Sequence, residues 1–331
     1  MKKYVLVFSS ILLLFYLSPL ARAGGLGRAG AQFLTVGSGS RPLALGGAYV
    51  ALAEGGDAIY WNPAGMATEE RTVFSFSHTQ LFAGQLKKEN VAFIHPGLGG
   101  TVGLSAIAFL SGDIDITTVE EPEGTGEAYT ANGFAAGISY ARMMTDKFTA
   151  GITLKLINEN IYKCSSFGWA FDLGGIYNTG LRNLRLGFVI QNFGPDLRYG
   201  GELLEFSTST TEVMNEDVSA QYKSSPYSLP LSFQVGVAYD LLTSGNNRIT
   251  AVLDGVHPID QDETFAGGLE YWLGETYSIR LGYTDRNNKG LSFGLGAKIP
   301  LGNEVKAVVD YGYVMHDYLD ATQNFTISFS Y

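Results

Sequence analysis

From residue 72 to the last residue, the chain repeatedly places apolar side chains at every second position over segments of about ten residues, the period of a strand with one apolar face. In the final segment Phe325, Ile327, Phe329 and Tyr331 share one parity, and Asn324, Thr326, Ser328 and Ser330 share the other. The same alternation sets Phe167, Trp169, Phe171 and Leu173 against Gly168, Ala170, Asp172 and Gly174. It returns through Leu229 to Tyr239, Tyr277 to Tyr283 and Leu291 to Ile299. The body reads as fourteen strands, from 72–79 to 320–331, with the alternation weakest in the first three. Turn-forming residues such as Asn178-Thr179-Gly180 and Gly245-Asn246 separate them. The two long connections, 112–130 and 194–228, follow the third and seventh strands, so both fall at one end. An even strand number, with short turns at one end and long loops at the other, predicts an all-β transmembrane antiparallel barrel of the outer-membrane kind.

Charge placement separates this barrel from a soluble sandwich. Lys155, Asp172, Arg185, Asp254, Glu270, Arg280, Lys298, Lys306 and Asp310 all sit on the parity opposite the aromatic face. The rest of that second face is mostly Gly, Ala, Ser and Thr, whereas a soluble sheet would crowd it with Lys and Glu. Mixed charges of both signs suit a lumen, where they pair; one facing lipid at mid-membrane costs about 2–4 kcal/mol. The composition agrees. Only 16% of the residues are charged and 42 of 331 are Gly, which excludes a disordered chain. The formal charge of −10 excludes a nucleic-acid binder.

Residues 1–23 carry Lys2 and Lys3, an apolar stretch from Tyr4 to Leu20, and Ala21-Arg22-Ala23, the pattern of a cleaved secretory signal peptide. Ser9, Ser10, Ser18 and Pro19 interrupt the stretch and argue against a membrane anchor. The one cysteine, Cys164, has no intramolecular disulfide partner.

Residues 24–71 do not alternate. Leu43 to Glu54 is a helix-compatible run of small residues in which Gly46 and Gly47 demand close packing, and Asp57 to Gly65 follows it. A segment of this length ahead of a polar lumen goes either inside the barrel or into the periplasm, and it predicts a plug over 24–71 and a barrel over 72–331. Pro63 pushes Asn62 out of helical geometry, Asn62 can bond nearby backbone, and Gly65 permits positive φ, giving a rigid turn into the first strand.

The run from Ala31 to Ala67 resembles the N-terminal signature of the FadL-like outer-membrane superfamily, in particular its PorV/PorQ branch. The resemblance rests on Gly46, Gly47 and Ala48 for the first motif and on Asn62, Pro63, Ala64 and Gly65 for the second. It implies fourteen strands, a hatch at 24–71, and one of two roles. FadL-like members pass hydrophobic small molecules through the outer membrane, while PorV-like members serve type IX secretion and dock secreted proteins. Phe325, Ile327, Phe329 and Tyr331 also resemble the terminal signal read by the barrel assembly machinery.

No enzymatic site assembles. Gly25 to Gly30 matches GxGxxG but follows a signal peptide rather than a strand, and Gly290 to Gly294 matches GxSxG inside an alternating strand. His78, His95, His257 and His316 lack metal-ligand spacing. The acidic loop 112–130 reads as solvated surface or as a Ca²⁺ site, with no calcium-loop spacing. Loop 194–228, with Phe206, Val213 and Met214, reads as a lid, a partner site or a variable surface. The expectation is a non-enzymatic barrel without cofactor or metal, in the outer membrane of a diderm bacterium. Its expected partners are outer-membrane lipid, the assembly machinery, and hydrophobic molecules or secreted proteins.

Overall fold

The computed structural model describes residues 27, 29–181, 183–211, 214–285 and 290–331. The expected signal peptide, Gly25, Leu26 and Arg28 of the GxGxxG match, and the side chains of Phe206, Val213 and Met214 lie outside the described residues. Fourteen antiparallel strands form the wall. They are β1 (Val73–Leu81), β2 (Leu86–Gly97), β3 (Gly100–Leu110), β4 (Ala131–Thr145), β5 (Phe148–Ile161), β6 (Cys164–Asn178), β7 (Arg185–Phe193), β8 (Ser232–Ser244), β9 (Asn247–Pro258), β10 (Thr264–Leu273), β11 (Tyr277–Thr284), β12 (Gly290–Leu301), β13 (Val305–Val314) and β14 (Thr322–Ser330). Each pairs with its neighbour in sequence, and β14 pairs with β1 from Val73 opposite Ser330 to Gln80 opposite Gln323. The sheet is closed, so no strand edge is left for lipid to face unpaired.

Parity along each strand is resolved as outward apolar and inward small or polar. Phe167, Trp169 and Leu173 on β6 are exposed, while Ser166, Gly168, Ala170, Asp172 and Gly174 are buried. On β14, Phe325 is exposed, Ile327 and Phe329 are half-buried, and Thr322, Asn324 and Thr326 are buried; Tyr331, just past the strand, is exposed. On the outer surface, near the end that carries the long loops, His78 of β1 stands 2.7 Å from Glu89 of β2 and His257 of β9 stands 3.1 Å from Glu263. That end, the loop end, holds the connections after odd-numbered strands, and the turn end holds the short ones.

The long loops have structure of their own. Ile114–Asp115 pairs with Ala128–Tyr129. In 194–228, Glu205–Thr211 pairs with Met214–Gln221, and Leu197 exchanges backbone hydrogen bonds with Tyr227 at 2.9 and 3.0 Å. Residues 29–71 run inside the lumen, from Ala29 at the loop end to Arg71 at the turn end, where Arg71 donates to the Glu304 carbonyl at 2.7 Å.

The expected helix at 43–54 is shorter and earlier: α1 (Ser40–Ala44), with α2 (Ala58–Trp61) and a 3-10 turn at Pro63–Thr68 following. Gly46 and Gly47 take φ of 71° and 83°, which ends the helix. At Gly46 a Cβ would stand 2.5 Å from the Tyr283 carbonyl oxygen, so only glycine lets the plug meet the wall there.

An arginine at Leu253, mid-strand on β9 and 60% exposed on the outer face, is expected to cost about 2–4 kcal/mol of unfolding free energy in lipid vesicles. A loss under about 1 kcal/mol would contradict a lipid-facing assignment for that surface.

Candidate gate: the plug and its seat in the lumen

At the loop end the plug begins as an extended segment clamped to the stem of loop 194–228. Ala29 bridges to Ser228, and Gly30 N–H donates to the Ser228 carbonyl at 3.0 Å. Glu159 of β5 accepts from Ala31 N–H at 3.2 Å, from the Tyr199 hydroxyl at 3.2 Å and from the Tyr227 hydroxyl at 2.9 Å. One carboxylate thus joins wall, loop stem and plug. Burial and Glu159 push the Tyr227 phenol up to about 12, so it stays protonated and donates.

Deeper in the lumen the plug is held on one side by charge. Arg41 of α1 donates from Nε and Nη2 to the two carboxylate oxygens of Glu270 on β10, both at 2.7 Å. Glu270 also accepts from Arg280 Nε of β11 at 2.8 Å, and Arg280 Nη1 reaches Asp310 of β13 at 2.6 Å. Arg41 Nη1 pairs with Glu54 further along the plug. Trp272 lies beneath the guanidinium groups, with Arg41 and Arg280 at 6.0 and 5.5 Å from its ring. A buried network of this kind gains little over apolar packing, but removing one partner strands a charge and costs about 3–5 kcal/mol.

Backbone in the plug is satisfied by the wall. Asp254 of β9 accepts from Tyr49 N–H at 2.7 Å and Val50 N–H at 2.9 Å, replacing the helical bonds that the two glycines interrupt. Ser40 N–H and Oγ bond Thr326 and Asn324 of β14. Asn62 is extended, at φ −162°, and its Oδ1 accepts from Ala64 N–H at 3.1 Å. Its Nδ2 donates to the Val50 carbonyl at 2.9 Å and to the Gly175 carbonyl of β6 at 3.3 Å. The Asn62-Pro63 turn is therefore closed by the Asn62 side chain and pinned to the wall. Gly65 does not supply positive φ; it is needed because a Cβ would stand 2.2 Å from the Ala53 carbonyl oxygen.

The opposite side of the plug is apolar. Phe33 and Leu34 pack with Ile107 of β3, Ala135 of β4, Ile157 of β5 and Ala170 of β6, under a cap of Leu197 from loop 194–228 and Leu229 just after it. A Cβ on Gly133 would stand 2.5 Å from the Phe33 ring. Tyr60 lies at the seam, its hydroxyl 2.8 and 2.9 Å from the Leu34 and Val36 carbonyls. Two cavities flank Tyr60, of 30 and 20 Å³, space for water only. Lys88 of β2, fully buried, donates to the Val36 carbonyl and sits 4.4 Å from the centre of the Tyr60 ring.

Of the charges expected in the lumen, six are engaged within it. Lys155 pairs with Asp172 at 2.8 Å, Asp254 holds the plug backbone, and Glu270, Arg280 and Asp310 form the network above. Arg185 lies nearer the turn end, 3.5 Å from Asp240. Lys298 and Lys306 keep the inward parity but are exposed at the turn end, because they lie in the last residues of β12 and the first of β13. Arg41 and Lys88 were not anticipated. Arg41 is the one basic residue between Ala29 and Glu70, a signal the sequence did contain, whereas Lys88 hid in the charged run Lys87-Lys88-Glu89. Among the described residues no three His, Cys, Asp or Glu converge on a metal position, in the acidic loop or elsewhere.

The fold and its internal plug define a plugged transmembrane barrel of the outer-membrane type. No family model and no curated protein sequence matches the chain. Solved structures do. The CymD monoaromatic hydrocarbon channel aligns with 89% of this chain and 97% of its own at a TM-score of 0.59 and 15% identity. The Pseudomonas putida toluene transporter TodX aligns with 89% and 98% at a TM-score of 0.60 and 12% identity. At such identities the likeness is one of fold.

Asp57 stands apart in the plug: its Oδ1 is buried with no hydrogen-bond partner among the described residues. Burial first, then the Asp310 carboxylate, push this carboxyl up to about 7, against the opposing pull of Arg41 and Arg280. In an unfolded chain the group titrates near 3.9. The folded state therefore holds a proton that the unfolded state loses, so stability falls as pH rises from about 4 to about 7 and is flat above. Asp57→Asn is expected to match the wild type at pH 4 and to melt at a higher temperature at pH 8. Equal melting temperatures at both pH values would show that the carboxyl is not titrating there.

Proposed function

We propose that the protein is a non-enzymatic outer-membrane channel for small hydrophobic molecules, gated by residues 24–71. The observation that carries this reading is the two-sided seat of the plug. One side is pinned by Arg41 to Glu270, while the other rests Phe33 and Leu34 on an apolar strip of β3 to β6. That strip, inside the lumen, is a surface that a hydrophobic molecule can wet and an ion cannot. With the plug seated, the cavities beside Tyr60 admit only water, so transport requires the plug to shift away from that strip. The hydrocarbon channels with the same fold support the reading.

In this account the chain is exported by its signal peptide and inserted in the outer membrane of a diderm bacterium, with the loop end outside. The assembly machinery reads Phe325, Ile327, Phe329 and Tyr331. A PorV-like role in type IX secretion rests on the motifs at Gly46-Gly47-Ala48 and Asn62 to Gly65, and the same experiment separates it from transport.

Ala29 and Ser228, bridged at the loop end, can be replaced by cysteines in a Cys164→Ser background. Toluene uptake by proteoliposomes is expected to fall to the level of protein-free vesicles on oxidation and to return on reduction. Wild-type barrels that show no uptake above protein-free vesicles would remove the channel reading and favour the docking role.

A further inference from the structure

Buried donors that lack an acceptor are concentrated at the turn end of the lumen. Arg248 Nε on β9, Trp272 Nε1 on β10, Ser278 Oγ on β11 and Arg280 Nη2, also on β11, are all buried and unbonded among the described residues. The first three are in direct register, Arg248 opposite Trp272 and Trp272 opposite Ser278, and all have inward parity. Trp272, Ser278 and Arg280 are 3%, 2% and 1% exposed. Beside them Lys298 places its ammonium 4.2 Å from the Trp272 ring centre and has no carboxylate within 4 Å among the described residues.

The nearby carboxylates are already committed. Glu270 is shared by Arg41 and Arg280, Asp310 takes Arg280, and Glu54 takes Arg41. Arg248 and Lys298 are thus two cations with no carboxylate within 4 Å among the described residues, flanking the buried donors of Trp272 and Ser278. Leaving such donors unmade costs about 1–3 kcal/mol each, and an oxyanion is the kind of acceptor that satisfies several donors together. Gly296, opposite Ser278 on β12, leaves room beside the row: a Cβ there would stand 2.1 Å from Asp310 Oδ1, 2.5 Å from Ser278 Oγ and 2.8 Å from Arg280 Nη1, and Asp310 is neutralised by its pair with Arg280.

We infer that Arg248, Trp272, Ser278, Arg280 and Lys298 form a binding site for an oxyanion, a carboxylate or phosphate group, at the turn end of the lumen. The site does not depend on what the barrel transports, and it lies away from the apolar strip on β3 to β6. An oxyanion enters from the turn end, where Lys298 is exposed, and seats its oxygens between the Arg248 guanidinium and the Trp272 and Ser278 donors.

The test is calorimetric titration of the full, detergent-solubilised protein with inorganic phosphate and, separately, with hexanoate. Stoichiometric binding of at least one is expected. Arg248→Gln combined with Lys298→Gln is expected to weaken it about tenfold or more, since each charge-assisted bond is worth about 1.5–3 kcal/mol. Trp272→Phe, which keeps the ring and drops the N–H, should weaken it less. Retained strand circular dichroism in each variant separates loss of the site from loss of the fold, and Ser278→Ala supplies a second probe where the double variant does not fold. Phosphate binding alone identifies a free solute anion as the ligand, and hexanoate binding alone identifies the headgroup of an amphiphile. Binding of neither, or binding unchanged in the folded double variant, overturns the site.

Discussion

Arg41 inserts into Glu270 inside a closed sheet, and the rest of the arrangement follows from that contact. A carboxylate in a barrel wall needs a cation, and a plug that fills a lumen needs an anchor; the two-bond fork supplies both at 2.7 Å. Arg280 takes the remaining capacity of Glu270 and passes the charge on to Asp310, so the anchor is built on three strands of the wall. Because this side is ionic and directional, the plug has one register in the barrel. The apolar side, Phe33 and Leu34 on Ile107, Ala135 and Ile157, is non-directional, and its ties to charged wall residues are single bonds to plug backbone, from Lys88 to the Val36 carbonyl and from Ala31 N–H to Glu159. The asymmetry makes a gate out of what would otherwise be a filler.

Closure of β14 on β1 constrains everything else. With lipid outside, the outward parity must be apolar across the middle of the membrane, and the other parity must take the plug, its charges and its backbone. This is why glycine is abundant. Gly268, Gly282, Gly294 and Gly312 lie where Leu45, Gly46, Ala44 and Ser40 touch the wall, and at each a Cβ would come within 3.0 Å of plug atoms. Backbone can then bond across the seam, as Asn62 does to Gly175 and Asp254 does to Tyr49 and Val50.

The barrel was legible because a period of two survives in a sequence whenever one face meets lipid. Phe325 to Tyr331 or Phe167 to Leu173 needs no tertiary information to be assigned. The charges Asp172, Glu270 and Arg280 were legible by parity for the same reason, but parity does not tell depth, and so Lys298 and Lys306 were expected in the lumen and lie at its end. The plug was less legible. Its segments are shorter than any helix that would stand alone, and their conformation is set by contacts with the wall, such as Gly46 against Tyr283, that no local pattern encodes. The partner of Arg41 is 229 residues away, a pairing that appears only when the sheet has closed.

Single-channel recording in planar bilayers tests the anchor most directly. Glu270→Gln leaves the wall's shape intact and removes the charge that holds Arg41. The account predicts a wild type that stays closed with rare openings and a variant that opens often, through a plug freed on its ionic side. Identical gating in the two, with the variant correctly folded, would contradict it.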